Sequence, residues 1–293
     1  MSLHYDLHSH SIISDGSLSP SELVRHAHQS GVDVLALTDH DTTDGLAEAG
    51  LEAARVGISL INGVEISVSW NKYTIHIVGL LAQVDNEILQ QGLSGLREFR
   101  IWRAQEIAKR LHKAGIPDAY EGAQVYATGS IIGRVHFAKF LIEKEYARDM
   151  REVFKRFLVH NKPGYVNGQW ASLEDTLRWI KAAGGIAVVA HPARYRFTAT
   201  KLKLLLGEFK ELGGVAMEVV SGNPTRDEIE HMSKRAQTQH LLASRGSDYH
   251  GPENAWLKMG RLQTIPASCQ PVWEHEVWSS LLPAVIQQPA VVL

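Results

Sequence analysis

An α/β fold, with a mostly parallel sheet curled into a barrel and interrupted by a helical segment, is what this 293-residue sequence predicts. Three observations carry that reading. Short apolar strands alternate with amphipathic helices near both ends of the chain. Single Gly residues or Gly-Gly pairs separate four of the helices from the next strand: Gly31, Gly57, Gly184-Gly185 and Gly213-Gly214. Between about Leu93 and Lys162 the strand rhythm disappears and helical periodicity alone remains. Strands alternating with helices imply parallel pairing, and this many units suggest closure into a barrel.

The elements follow in order. Tyr5-Asp6-Leu7 opens as a strand. Ser19-Pro20-Ser21-Glu22 combines an N-cap, a proline at the first helical position and a capping-box glutamate, and so starts a helix running to about Gln29. Gly31 stops it, and Val32 to Leu37 is a buried strand. A second helix spans about Asp44 to Arg55 and ends at Gly57. Ile58 to Val68 and Tyr73 to Leu81 read as strands. After the helical segment, with its Leu96-Phe99-Ile107-Leu111, Val135-Phe140-Leu141 and Val153-Phe157 spacing, the alternation returns. A helix from Ser172 to Ala183 leads to the strand Ile186–Ala190, a helix to Leu212 leads to Val215–Val220, and a helix after Pro224 leads to Leu241–Ser244. The expected organisation is a barrel built from residues 1–92 and 163–293, with a helical insertion over 93–162.

Composition narrows the function. Thirty Lys and Arg against 32 Asp and Glu give a net charge of -2, so no global basic field advertises nucleic acid. The charge is unevenly placed, however. From Arg97 to Lys162 there are 14 basic and 8 acidic residues, a net +6, which leaves -8 on the rest. A single cysteine, Cys269, excludes an intramolecular disulfide framework and a Cys-rich zinc module. No run approaches the roughly 18 apolar residues a membrane span needs, and the first residues lack the basic start and apolar stretch of a signal peptide. A cytoplasmic protein without membrane association or an obligatory protein partner is expected. The 15 histidines are the unusual count.

Six features place those histidines, with acids, where strands end. His8-Ser9-His10 follows the first strand, and residues two apart on a strand share a face; Asp15 lies just beyond. Asp39-His40-Asp41 follows the strand ending at Thr38. Glu65 sits among apolar residues of a strand, where a carboxylate must be paired, ligate a metal or face outward. His76 lies within Thr74-Ile75-His76-Ile77-Val78. His191 follows Val189-Ala190, and Asp248-Tyr249-His250 follows the last strand. Carboxyl ends of barrel strands are where active sites are built. Singly, each feature reads as a surface or core residue; jointly, they read as a metal site.

The set Asp6-Leu7-His8-Ser9-His10, Thr38-Asp39-His40-Asp41, Gly63-Val64-Glu65, His76, Ala190-His191-Pro192 and Gly246-Ser247-Asp248-Tyr249-His250 resembles the PHP (polymerase and histidinol phosphatase) superfamily. The insertion, with Gly164-Tyr165-Val166 and Gln169-Trp170-Ala171-Ser172, is most similar to the subfamily of 3′,5′-nucleoside bisphosphate phosphatases that includes ribonuclease AM. The resemblance implies a distorted (β/α)7 barrel holding two to three divalent ions, Mn²⁺ first and Zn²⁺ or Fe²⁺ as alternatives. It implies that His8, His10, Glu65 and Asp248 hold one ion, Asp15, His40 and His250 a second, and Glu65, His76 and His191 a third. Catalysis would centre on Asp15, His40, Glu65, Asp248 and His250. The implied reaction is removal of the 3′-phosphate from a nucleoside 3′,5′-bisphosphate by a metal-bound hydroxide, with short 5′-phosphorylated RNA as a further substrate. Histidinol phosphate or another small phosphomonoester is the alternative.

A second phosphate needs its own cationic partners. Arg100 and Arg103 are three apart and share a helix face. Arg134, in Gly133-Arg134-Val135-His136, falls at an expected helix start, where backbone N–H groups also favour anions. With His136 and with Arg194 beyond His191-Pro192, they form the expected substrate-binding set. Two rival readings use the same residues. Val34 to Thr43 also fits the strand and D-x-D-x-T of haloacid dehalogenase phosphatases with Asp39 as nucleophile, but that leaves His8, His10, His76, His191 and His250 unused. A non-enzymatic phosphate-sensing module is the other, although such modules often lose ligands and here none is missing.

Overall fold

The computed structural model of the chain describes residues 3–129, 131–253 and 257–278. Strands β1 (Tyr5–Asp6), β2 (Val34–Leu37), β3 (Ser59–Trp70), β4 (Tyr73–Leu80), β5 (Ile186–Val189), β6 (Ala216–Ser221) and β7 (Leu242–Gly246) form one sheet in chain order. The Leu7 N–H donates to the Arg245 carbonyl (3.1 Å), which brings the first strand against the last and curls the sheet into a nearly closed barrel. Helices α1 (Pro20–Gln29), α2 (Leu46–Val56), α3 (Glu87–Lys113), α4 (Ala119–Gln124), α5 (Arg134–Glu143), α6 (Met150–Val153), α7 (Leu173–Ala182), α8 (Ala199–Glu211) and α9 (Arg226–Thr238) complete the described helices longer than a single turn of irregular geometry. The expected α/β barrel with a helical segment is the observed fold.

Local chemistry sets the elements. Ser19 and Glu22 form the capping box that starts α1, with Pro20 at its first position. Gly57 closes α2 in the left-handed region, where no side chain is tolerated cheaply. Strand parity then sorts side chains between two cores. Val34, Ala36, Ile61, Val78, Leu80, Val188, Ala190 and Ala216 fill the barrel interior with Trp278. Their neighbours Val64, Ile66, Val68, Ile75, Ile77, Val189, Met217 and Val219 face the outer helices.

Two features depart from a regular alternation. β4 runs antiparallel to both neighbours, because β3 turns straight back into it through Asn71 and Lys72, both at positive φ (45° and 69°). The other strand pairs are parallel. The second feature is α3, which spans 27 residues without a break. Leu89, Leu93 and Leu96 pack on the outer barrel core, whereas Ala104, Ile107 and Leu111 belong to a separate core shared with Phe137, Leu141, Val153 and Leu158. One helix therefore joins the barrel to the helical segment above it.

Candidate metal centre

Inward parity carries side chains from several strands to one end of the barrel. On β3, Glu65 shares the parity of buried Ile61; on β4, His76 shares that of Val78 and Leu80. His8 and His10 lie just past β1, whose regular part stops at Asp6, and the intervening Ser9 bridges to Tyr249. Gly246 is what admits His8: a Cβ there would lie 2.3 Å from the His8 Cβ. His40 bridges to Glu65 just after β2. His191 follows β5, and Asp248 and His250 follow β7, with His191 and Asp248 both at positive φ (32° and 54°).

All nine residues meet. Glu65, fully buried, is the centre. Its Oε1 lies 3.3 Å from His8 Nε2, 3.0 Å from His76 Nδ1 and 2.9 Å from His191 Nε2. Its Oε2 lies 3.3 Å from His10 Nε2 and 2.9 Å from His40 Nδ1. Asp248 Oδ1 is 3.4 Å from His8 Nε2 and 3.1 Å from His10 Nε2, and those two imidazole nitrogens are 3.1 Å apart. Asp15 is 3.2 Å from His250 Nε2, 3.8 Å from His40 Nε2 and 4.0 Å from His10 Nδ1. Three sets thus have donor atoms within 4.8 Å of one another: His8, His10, Glu65 and Asp248; His10, Asp15, His40 and His250; and His40, Glu65 and His76. Against the sequence expectation, His10 also borders the second set through its other ring nitrogen. His40 closes the third set, with His191 reaching it through Glu65.

This donor set fits divalent ions. His10 Nδ1, His40 Nδ1 and Glu65 Oε2 are buried and, although the last two approach to 2.9 Å, none makes an aligned hydrogen bond among the described residues, an arrangement that costs free energy unless something charged sits among them. With ligand bonds of about 2.1 Å, donors around one ion lie roughly 3.0–3.4 Å apart, the spacing seen among His8, His10, Glu65 and Asp248. Burial alone would push the Glu65 carboxyl up; His76, His40 and His8 outweigh it and hold it well below the usual carboxylate range. Burial is likewise outweighed at Asp248, by His8 and His250, and at Asp15, by His250 and His40. The carboxylates are therefore ionised, as ligands must be.

Sequence reasoning missed one residue that organises the centre. Glu218, buried in β6, accepts from His8 Nδ1 (2.6 Å) and from the backbone N–H of His191 (2.7 Å). The first bond fixes the His8 tautomer with Nε2 free toward the site; the second steadies the left-handed His191. The available signal was an acid of inward parity within Ala216-Met217-Glu218-Val219-Val220, the argument applied to Glu65. Tyr195 adds a brace: its hydroxyl donates to the Ala190 carbonyl (2.8 Å) and accepts from the His76 N–H (2.9 Å). Asp39 is also committed to structure. Its carboxylate accepts from the Ser11 N–H (2.8 Å), the Ser11 hydroxyl (2.6 Å) and the Ser14 hydroxyl (2.7 Å), which suits a loop anchor and not a nucleophile.

The expected substrate residues fall at the two ends of this cluster. At the Asp15 end, Arg100 and Arg103 both cover Trp170, with centroid distances of 5.1 and 5.3 Å. Arg100 is paired: its Nε donates to Asp41 (2.6 Å) and its Nη2 to the Ser67 hydroxyl (3.0 Å). Arg103 is buried, its hydrogen bonds among the described residues being only long ones to the Val166 carbonyl (3.4 Å), and burial plus the nearby Arg134 and Arg100 bring its pKa down to about 9. Arg134, the first residue of α5, lies over Phe154 and has no hydrogen-bond or ion-pair partner among the described residues; burial and Arg100 lower its pKa, while Tyr165 and Asp15 act to raise it. His136, nearly fully buried, accepts the Gly133 N–H at Nδ1 (3.0 Å), and burial lowers its pKa to about 4. It is therefore neutral near pH 7, with Nε2 as its donor. At the opposite end, Arg194 is ion-paired with Asp248.

Comparison with known proteins agrees with this geometry. A family model described as the PHP domain matches residues 4–182. The chain is 43% identical to a 3′,5′-nucleoside bisphosphate phosphatase of Chromobacterium violaceum over 95% of its own length and 98% of that protein's. It is 45% identical to the 5′-3′ exoribonuclease Rnm of Escherichia coli, covering 92% of each. A solved amidohydrolase structure from Chromobacterium violaceum, containing sulfate and no metal, superposes with a TM-score of 0.90 at 42% identity over 98% of this chain and 99% of that one.

Proposed function

The chain belongs to the PHP domain family, and from that premise we propose that it is a metal-dependent phosphoesterase that removes the 3′-phosphate from nucleoside 3′,5′-bisphosphates and trims short 5′-phosphorylated RNA from the 5′ end. Both kinds of relative named above, a bisphosphate phosphatase and an exoribonuclease, support the reading. The observation that carries it is Arg134, without an anionic partner among the described residues and close enough to Asp15 of the nine-residue cluster to feel its charge, with Arg103 next to it. One phosphate would meet the cluster and the other the arginines.

His8, His10, Glu65 and Asp248 would hold one ion, Asp15, His40 and His250 a second, and Glu65, His76 and His191 a third. Imidazole and carboxylate donors without thiolate suit Mn²⁺, Zn²⁺ or Fe²⁺, and manganese is the first choice. Such ions, when bound, polarise the phosphoryl oxygens and acidify a water for in-line attack. The chain's own groups supply the remainder. Arg103 and Arg134 bind the distal phosphate with charge-assisted hydrogen bonds, His136 offers a neutral Nε2–H donor beside them, and Arg100 positions the His40 loop through Asp41. Glu218 keeps His8 in its ligating tautomer. The helical segment over 93–162 thereby acts as the selectivity element on a barrel that performs the hydrolysis. Among the described residues no helix is long and apolar enough to cross a membrane.

The test is kcat/KM, measured side by side with added Mn²⁺, for a nucleoside 3′,5′-bisphosphate, a 5′-phosphorylated RNA and histidinol phosphate. The first two are expected to exceed the third by at least about tenfold. Preference for histidinol phosphate would overturn the assignment of the arginines.

A further inference from the structure

The phosphate-binding arginines occupy only one end of the donor cluster. His250 spans the middle, with Nε2 3.2 Å from Asp15 and Nδ1 3.7 Å from Asp248. A cavity of about 520 Å³ opens directly onto His191, Asp248 and His250, and none of Arg100, Arg103 and Arg134 is among its described lining residues. This volume is within the range of about 300–1,000 Å³ typical of small-molecule sites. Its outer wall is Pro192, Arg194, Ser221, Asn223, Pro224 and Leu257.

The wall has the composition a nucleotide needs. Arg194 lies along it because Gly222, at φ +65°, has no side chain: a Cβ there would come within 2.7 Å of Arg194 Nη2. Asn223 is exposed, and its side-chain amide has no partner among the described residues. Pro192, Pro224 and Leu257 give apolar surface for a base. The two acids that also border the cavity are engaged elsewhere: Glu218 with His8 and His191, and Glu228 with the Thr225 N–H (2.7 Å) and hydroxyl (3.0 Å) at the start of α9.

A mononucleoside bisphosphate with one phosphate at the donor cluster and one at Arg103 and Arg134 makes no use of the Arg194 and Asn223 wall for its two phosphates. We infer that the Arg194–Asn223 cavity is the subsite for the nucleotide on the 3′ side of the scissile phosphate of a short 5′-phosphorylated RNA. The inference rests on the function proposed above. In the step it implies, a water oxygen bonds to phosphorus and the bond from phosphorus to the 3′-oxygen of the 5′-terminal nucleotide breaks. That 3′-oxygen leaves with one proton, and the new 5′-phosphate stays on the chain held in the cavity, ready to shift by one nucleotide.

The experiment compares adenosine 3′,5′-bisphosphate with a 5′-phosphorylated penta-adenylate on the Mn²⁺-loaded wild type, on Asn223→Asp and on Asn223→Trp. The aspartate adds a charge at an exposed position without changing size; the tryptophan fills the cavity. The ratio of kcat/KM, oligonucleotide over bisphosphate, is expected to fall by at least about fivefold in Asn223→Asp and further in Asn223→Trp. An unchanged ratio in both variants overturns the subsite. A wild type that hydrolyses the bisphosphate but not the oligonucleotide overturns it as well and leaves the proposed function standing. A wild type that hydrolyses neither removes the proposed function itself.

Discussion

Arg103→Met should make the free protein more stable and a worse enzyme. Arg103 is 8% exposed, and burial together with Arg134 and Arg100 brings its pKa from 12.5 to about 9. The charged form is the disfavoured one, so the cost is present at every pH below about 9 and is full at pH 7. A drop of that size corresponds to roughly 5 kcal/mol. Methionine keeps the alkyl packing while losing the cation–π contact with Trp170, worth about 0.5–2 kcal/mol, and the long Val166 contacts. Taking those Val166 contacts as about 1 kcal/mol, a net gain of roughly 2–3.5 kcal/mol remains, which at about 2 °C per kcal/mol raises Tm by roughly 4–7 °C. The assay is thermal unfolding at pH 7 with and without the bisphosphate, paired with steady-state kinetics. Bound substrate should stabilise the wild type more than the variant, because it supplies the missing counter-charge. The variant's kcat/KM for the bisphosphate should fall by about 1.5–3 kcal/mol. A lowered Tm, like that of an ordinary core substitution, would refute the reasoning: it would mean the guanidinium is already satisfied without an anion.

Three further perturbations test the centre. Glu65→Gln should lose both metal occupancy, read by elemental analysis, and most turnover, whereas His112→Ala on the exposed face of α3 should change neither; full metal content in Glu65→Gln would count against a bridging role. His40→Ala should damage turnover at least as much as Asp39→Asn, which should instead lower Tm by loosening the Ser11–Ser14 loop, and trapping a phosphorylated Asp39 would reverse that ranking. Glu218→Gln should weaken metal affinity by about 10–100-fold in a chelator competition, and unaltered affinity would reduce Glu218 to a packing residue.

Much of this centre was legible because ligand-type residues follow apolar strands directly: His8, His10, His40, His191, Asp248 and His250 each sit within a few residues past a strand end, and the chain order of the strands is their order in the barrel. What stayed hidden depends on partners distant in sequence. Nothing local to Glu218 announces His8, 210 residues away. The reversal of β4 was also invisible, since Trp70-Asn71-Lys72-Tyr73 lacks the Asn-Gly that marks a two-residue hairpin, and Lys72 adopts positive φ where glycine is usual. The helical segment announced itself by period and charge. Its junction with the barrel did not, because the periodicity of α3 runs unbroken through the change of neighbours between Leu96 and Ala104.

That junction gives the enzyme a fixed gauge. A segment tethered by loops could swing and accept phosphates at many separations. Here Arg100 and Arg103 ride on the same rigid rod whose first turns are bolted to the barrel through Leu89, Leu93 and Leu96, and Arg100 clamps Asp41 beside His40. On the proposed function, the Arg103 part of the distal phosphate site would thus be held at a separation from the donor cluster set by helix geometry, at about 1.5 Å per residue, with Arg134 added from the start of α5. Isomers that carry the same charges at another spacing, such as 2′,5′-bisphosphates, would be rejected by length, not by chemistry.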